Sequence, residues 1–222
     1  MMKACIFDLD GTLYQTERIA IPAFEKTFQD LRQQGKIEEN DPTESMILSS
    51  FGLKGEQIWA ELLPKADHEL REEADRVFLK YEKELIHNGK GKFYPGVKKG
   101  LVHLKEQGWS LFIVSNGIPE YVNAVLASAA LTELFTEILT LGNQPTVEKP
   151  DAVRDLIQRY SIKKGYVIGD RKSDVEAAKK NDLIAIGCKY KGFPHFSKKG
   201  ELNEADFIIQ HFRELVEIVV KP

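Results

Sequence analysis

A chain of 222 residues with 42% hydrophobic and 29% charged residues has the make-up of a folded globular protein and can bury a substantial core. Its formal net charge of -3, with no basic stripe carrying interleaved aromatics, argues against a nucleic-acid or membrane-surface binder. Cys5 and Cys188 each sit in an apolar run and read as inert core thiols, no run approaches the roughly 20 apolar residues of a membrane helix, and the Met1-Met2-Lys3 start lacks a signal pattern, so a cytoplasmic location is expected.

The first predicted element is a short apolar strand over 4–7, which delivers two carboxylates, Asp8 and Asp10, where it should end. Side chains two apart on a strand share a side, so the pair is expected to converge on one ion or reacting atom, with Leu9 facing away and Gly11 turning the chain. Such a pair repels itself unless a cation lies between the groups or one holds a proton, and oxygen ligands of this kind suit magnesium.

Helices follow without a convincing strand. They are predicted over 19–31, over 43–51 behind Asp41-Pro42, and over 56–63. A fourth opens at Asp67 as N-cap and carries Leu70, Ala74, Val77, Phe78, Tyr81 and Leu85 on one face. The Gly- and Pro-rich stretch 88–96 then reads as a return linker. These features predict an all-helical insert over 15–93 and a second unit made of 1–14 and 94–222.

In that unit helices over 97–107, 120–130, 151–160, 174–181 and 212–220 alternate with strands over 110–114, 138–141, 165–168, 184–188 and 207–209. This alternation predicts an α/β parallel sheet covered on both faces. Ligands bind such sheets beyond the carboxyl ends of the strands, and the residues there are polar: Ser115-Asn116-Gly117, Gly169-Asp170, and Lys149 ahead of a helix opening near Pro150. Singly they are a turn, a solvated lysine and a helix-start acid. Together they suit a phosphate: a hydroxyl and N–H groups to hold it, Lys149 to neutralise it, and carboxylates for a bridging metal. Ser173-Asp174-Val175-Glu176 fits a capping box that would fix the helix bearing Asp174.

The ordered set Asp8-Leu9-Asp10-Gly11-Thr12, Ser115, Lys149 and Gly169-Asp170 with Asp174 resembles the haloacid dehalogenase superfamily over the whole chain. The resemblance implies a Rossmann-like core with an inserted helical cap, and a magnesium-dependent phosphatase acting on a small phosphorylated metabolite. Asp8 would be the nucleophile and Asp10 the general acid and base, its backbone carbonyl also binding the metal. Asp8, Asp10 and Asp170 would hold Mg2+, with Asp174 acting through water or by orienting Lys149. Ser115, Asn116 and Lys149 would hold the phosphoryl oxygens.

Dehalogenases of this superfamily lack the second acid, so Asp10 favours phosphoryl chemistry. Sugar-phosphate mutases commonly carry a His where Ala20 stands, which counts against that alternative, and the complete motif set counts against a non-catalytic binding protein. The stretch 187–215 resembles the phosphoglycolate phosphatase and 5'-nucleotidase branch, leaving phosphoglycolate, a nucleotide or a sugar phosphate as candidate substrates. Lys54, in a Gly-flanked turn of the cap, is either a substrate-specificity residue or a solvated lysine.

Overall fold

The computed structural model describes residues 2–144 and 146–220, so Met1, Pro145 and Lys221-Pro222 of the expected core lie outside the described residues. Strand β1 (Met2–Phe7) is followed by four helices, α1 (Glu17–Gln33), α2 (Glu44–Ser50), α3 (Gly55–Leu62) and α4 (His68–His87). The rest alternates: α5 (Val97–Glu106), β2 (Ser110–Ser115), α6 (Pro119–Ser128), β3 (Glu137–Thr140), α7 (Lys149–Tyr160), β4 (Ile162–Gly169), α8 (Lys172–Lys179), β5 (Ile184–Cys188), β6 (Phe207–Ile209) and α9 (Phe212–Val220).

The strands form one parallel sheet in the order β3-β2-β1-β4-β5-β6. Strand β1 lies between β2 and β4 because its side chains are buried on both faces, which also explains why it reads as an unbroken apolar run. Cys5 and Phe7 join a core with Leu101, Val122, Phe212 and Leu215 from α5, α6 and α9. Ala4 and Ile6 face the other way, onto Ala152, Val153, Val175 and Ala178 of α7 and α8. Central placement matters for chemistry, since the ends of β2 and β4 then flank the end of β1.

The inserted helices build a separate apolar cluster around Phe24, Phe28, Trp59 and Leu62. Phe24 and Phe78 stack at 4.1 Å, and Trp59 meets them edge-on at 5.4 and 5.9 Å. Asp67 caps α4 as its position predicts, accepting the Leu70 N–H at 2.9 Å.

The two chain crossings between the inserted helices and the sheet run side by side. Gln15 donates its backbone N–H to Lys92 O and Tyr94 donates to Leu13 O, both at 2.9 Å. Tyr14 is buried there, and a Cβ on Gly91 would stand 1.6 Å from its hydroxyl oxygen. Gly91→Ala is expected to lower the Tm, because overpacking costs about 1–3 kcal/mol and each 1 kcal/mol shifts Tm by roughly 2–4 °C in a chain of this size. Thermal unfolding followed by circular dichroism checks this; an unchanged Tm would mean that Tyr14 swings aside at no cost.

Candidate active site

Asp8 leaves the end of β1 with its backbone N–H donating to Ile168 O of β4 at 2.9 Å, which fixes its side chain at the carboxyl edge of the sheet. Its Oδ1 accepts the Leu9 N–H at 2.8 Å and its Oδ2 lies 3.0 Å from Lys149 Nζ. Lys149, buried at the first position of α7, also donates to Asp174 Oδ1 at 2.7 Å.

Asp174 is in the first turn of α8, where its other oxygen accepts the Arg171 N–H at 3.0 Å and satisfies an otherwise orphaned donor. The capping box expected at Ser173 and Glu176 is therefore displaced. Asp174 itself reaches back to the cap, the helix opens at Lys172, and Glu176 pairs with Lys172 on the surface at 3.3 Å. An acid at the third helical position is the residue that can reach the cap N–H, and this bond aims Asp174 at Lys149.

Asp8, Asp170 and Asp174 each present a carboxylate oxygen within 4.8 Å of the others, all three residues being buried. Both Asp170 oxygens are buried with no hydrogen-bond partner. Gly11 closes over them: its φ is +72°, and a Cβ there would lie 2.5 Å from Asp170 Oδ2. Burial pushes the Asp8 carboxyl up to about 7, Lys149 opposing the shift and Asp174 and Asp10 adding to it. Asp170 is raised well above the usual range by burial and by Asp8 and Asp174. For Lys149, burial works against the charge, but Asp174 and Asp8 outweigh it and its pKa rises. Three buried carboxylates, two orphaned oxygens and one shared ammonium fit a hard divalent cation held by oxygen ligands, as magnesium is.

The Asp10 carboxylate is not in this cluster. Strand β1 ends at Phe7, so the alternation that would have put Asp8 and Asp10 on one side does not extend through the turn. Asp10 Oδ1 accepts the hydroxyls of Tyr121, at 2.7 Å, and of Thr16. Burial raises its pKa while those two bonds and Lys149 hold it down. Sequence reasoning missed Thr16 and Tyr121. Thr16 carries no signal beyond its place before α1, but Tyr121 is a tyrosine in the first turn of a helix that follows a strand-end Ser-Asn-Gly.

Ser115 is buried, its Oγ accepting the Gly117 N–H at 3.1 Å. The Asn116 side-chain amide donates to Gly52 O of the cap at 2.8 Å, which leaves the backbone N–H as its means of meeting a phosphate. Lys54 is not a freely solvated turn residue: its Nζ donates to Gln144 O at 3.1 Å and to Val147 O at 2.8 Å, on the loop that precedes α7. Phe51 meets Phe196 of the core edge-on at 4.7 Å. The inserted helices thus rest against the sheet unit and border a cavity of about 420 Å³, lined on one part by Asp8, Asp10, Asn116 and Tyr121 and on another by residues of α1, α4 and the 51–58 segment.

Residues 5–188 match the haloacid dehalogenase-like hydrolase family. Among its relatives, the pyrophosphatase PpaX of Listeria monocytogenes serotype 4b is 27% identical over 220 residues, which span 96% of this chain and 94% of that protein. The phosphoglycolate phosphatase of Vibrio vulnificus is also 27% identical, over 232 residues spanning 99% and 96%. Solved structures sharing the fold include a predicted phosphoglycolate phosphatase from Haemophilus somnus 129pt, with TM-score 0.85 and 21% identity over 98% of each chain. Another is CbbY from Rhodobacter sphaeroides in complex with phosphate, with TM-score 0.79 and 23% identity over 97% and 96%. Together with an acid site at the carboxyl edge of a 3-2-1-4-5-6 sheet, the family match over most of the sequence means that this chain belongs to the haloacid dehalogenase-like hydrolases.

Proposed function

We propose that this hydrolase is a phosphatase that cleaves a small phosphomonoester in a magnesium-dependent reaction, by way of a phosphorylated Asp8. The observation that carries the reading is the Asp8–Lys149–Asp174 chain beside the unpartnered carboxylate of Asp170 at the end of the central strand. Asp8, Asp170 and the Asp10 backbone carbonyl would hold magnesium, with Asp174 acting through water or by orienting Lys149, and the ion would supply the positive charge that makes a phosphate dianion tolerable next to a carboxylate.

The chain's own residues carry the steps. Ser115 Oγ, the Asn116 backbone N–H and Lys149 Nζ hold the phosphoryl oxygens. Asp8 Oδ attacks phosphorus, the bond to the ester oxygen breaks, and the Asp10 carboxyl gives that oxygen its proton. Asp10 then takes a proton from water as the water attacks the same phosphorus, releasing inorganic phosphate and restoring Asp8. Hydroxyls of Thr16 and Tyr121 on Asp10 Oδ1 fix which oxygen is left to face the ester. Residues 15–93 act as the cap, opening at the paired crossings near Tyr14 and Tyr94 to admit substrate. Relatives named as phosphoglycolate phosphatase and pyrophosphatase support the reaction class, and Ala20, where a mutase would carry a His, supports hydrolysis over phosphoryl shuttling.

Asp8→Asn is expected to lower turnover of p-nitrophenyl phosphate at least about 1,000-fold with the fold retained, because an amide is a poor nucleophile. Asp10→Asn should instead give a burst of nitrophenolate followed by slow release of phosphate, with radiolabelled phosphate retained on the protein. Equal residual turnover in the two variants would reverse or dissolve these roles.

Stripped of divalent ions, the protein holds Asp8 and Asp170 with raised pKa values. A carboxyl whose folded pKa lies above its unfolded value stabilises the fold at low pH and loses that contribution as pH rises, here between about 4 and about 7 for Asp8. Magnesium binds the ionised form, so its increment to Tm should be larger at about pH 7.5 than at about pH 5.5. Scanning calorimetry with and without magnesium measures both increments, and equal values would show that these carboxylates are not the ligands.

Lys54 acts by holding the cap on the core. Lys54→Ala should raise KM for all phosphate esters alike, by roughly 3- to 10-fold, without changing their ranking. A KM rise confined to one substrate class would place the Lys54 ammonium on the substrate instead.

A further inference from the structure

The wall of the cavity opposite the acid cluster is made by one stripe of α4, Asp75, Phe78, Leu79 and Glu82, with Phe24 of α1 beside it. These positions are separated by three and four residues and so share a helix face. Glu82 is only 6% exposed, yet no described residue donates a hydrogen bond to its carboxyl. Asp75 accepts the Trp59 indole N–H at 2.7 Å through Oδ1, which fixes a second acid on the same wall.

Neither lysine nearby neutralises that wall. Lys54 borders the cavity, but its Nζ is bonded to Gln144 and Val147 carbonyls, and Lys149 is shared by Asp8 and Asp174. Burial pushes the Glu82 carboxyl well above the usual range, and Asp10 and Asp75 push it further. Beside it Phe24 and Phe78, stacked 4.1 Å apart, also border the cavity.

We propose that this wall receives a protonated amine, so that the substrate is a phosphomonoester whose leaving alcohol carries a short alkylammonium group. This rests on the phosphatase reading above and narrows its substrate class. The phosphoryl group lies against Asp8, Ser115 and Lys149, and the ammonium supplies to Glu82 the donor that the protein does not, with Asp75 and the aromatic pair completing an acidic, ring-lined seat. A leaving group bearing a carboxylate or a second phosphate would instead bring Glu82 no donor and would set its own charge beside Asp75, which selects against it.

The test uses three near-isosteric esters with the full chain and magnesium: phosphoethanolamine, ethylene glycol monophosphate and phosphoglycolate. The amine ester is expected to exceed the neutral one in kcat/KM by at least about 10-fold and the anionic one by at least about 100-fold. Glu82→Gln should bring the amine-to-neutral ratio within about threefold, and Asp75→Asn should lower the same ratio if the Gln variant does not fold. A wild-type ratio at or below unity, or one that survives Glu82→Gln, overturns the proposal. Hydrolysis of p-nitrophenyl phosphate tests the phosphatase reading separately. If that ester and all three probes are left intact, calorimetric titration of the unhydrolysed probes decides the cavity's preference: tightest binding of phosphoethanolamine supports the amine seat, and equal or weaker binding overturns it.

Discussion

The structure is arranged around a repulsion. Asp8, Asp170 and Asp174 are buried with oxygens within 4.8 Å of one another, and one ammonium, that of Lys149, is shared by Asp8 and Asp174. Fully ionised, the group keeps two negative charges in excess, the charge that one divalent cation cancels. Burying unpaired charge is among the most costly things a fold can do, and a packed apolar substitute would be more stable. The sheet order places β2 and β4 on either side of β1, Gly11 folds over Asp170, α7 begins at Lys149, and α8 carries Asp174 in its first turn. Each element converges on the one place where the chain is least comfortable, which is the mark of a site shaped for chemistry.

Asp10 belongs to a different environment only two residues away. Its carboxylate is held by two hydroxyls, which are neutral donors that can follow a proton on or off the acid. Asp8 instead touches a fixed charge, Lys149, which opposes the rise that burial imposes on its pKa. Two carboxylates two residues apart thereby have separate neighbours, and in the proposed reaction that difference suits one to attack and the other to carry the proton. The inserted helices are tied down over the acids by Asn116 to Gly52, Lys54 to the Gln144 and Val147 carbonyls and Phe51 to Phe196.

The sheet was legible because strands buried on both faces leave apolar runs that nothing else in the chain imitates; β1, β2 and β5 stand within a residue or two of where those runs lie. Strand β4 starts earlier than its run, at Ile162, because exposed Lys163 and Lys164 begin it before it is covered. Asp8, Ser115, Lys149, Asp170 and Asp174 were legible as strand-end or helix-start polar residues. The path of the Asp10 side chain was not, since two-residue alternation is a property of strands and the turn begins at Asp8. Nor was the capping of α8, where two acids, Asp174 and Glu176, competed for one role and only tertiary contact with Lys149 decides between them.

Helix α4 shows the limit and the remedy together. An apolar face through Leu70, Ala74, Val77, Phe78, Tyr81 and Leu85 describes the hydrophobic residues correctly as a set, yet the residues buried most deeply on the helix are Ala74, Glu82 and Ile86. Ala74, Phe78, Glu82 and Ile86 recur every four residues, so they form a single ridge. A carboxylate in the middle of a ridge that is otherwise apolar opposes local pattern and burial alike. Had Glu82 turned outward it would be one more solvated acid of a charged helix; placed on that ridge without a donor, it faces the same enclosed space as Asp8 and Asp10. The acids at the sheet edge suit a cation that offsets their charge, and in the proposed reading the same electrostatic argument, applied to the helical side, makes the charge of the leaving group the property on which substrate choice turns.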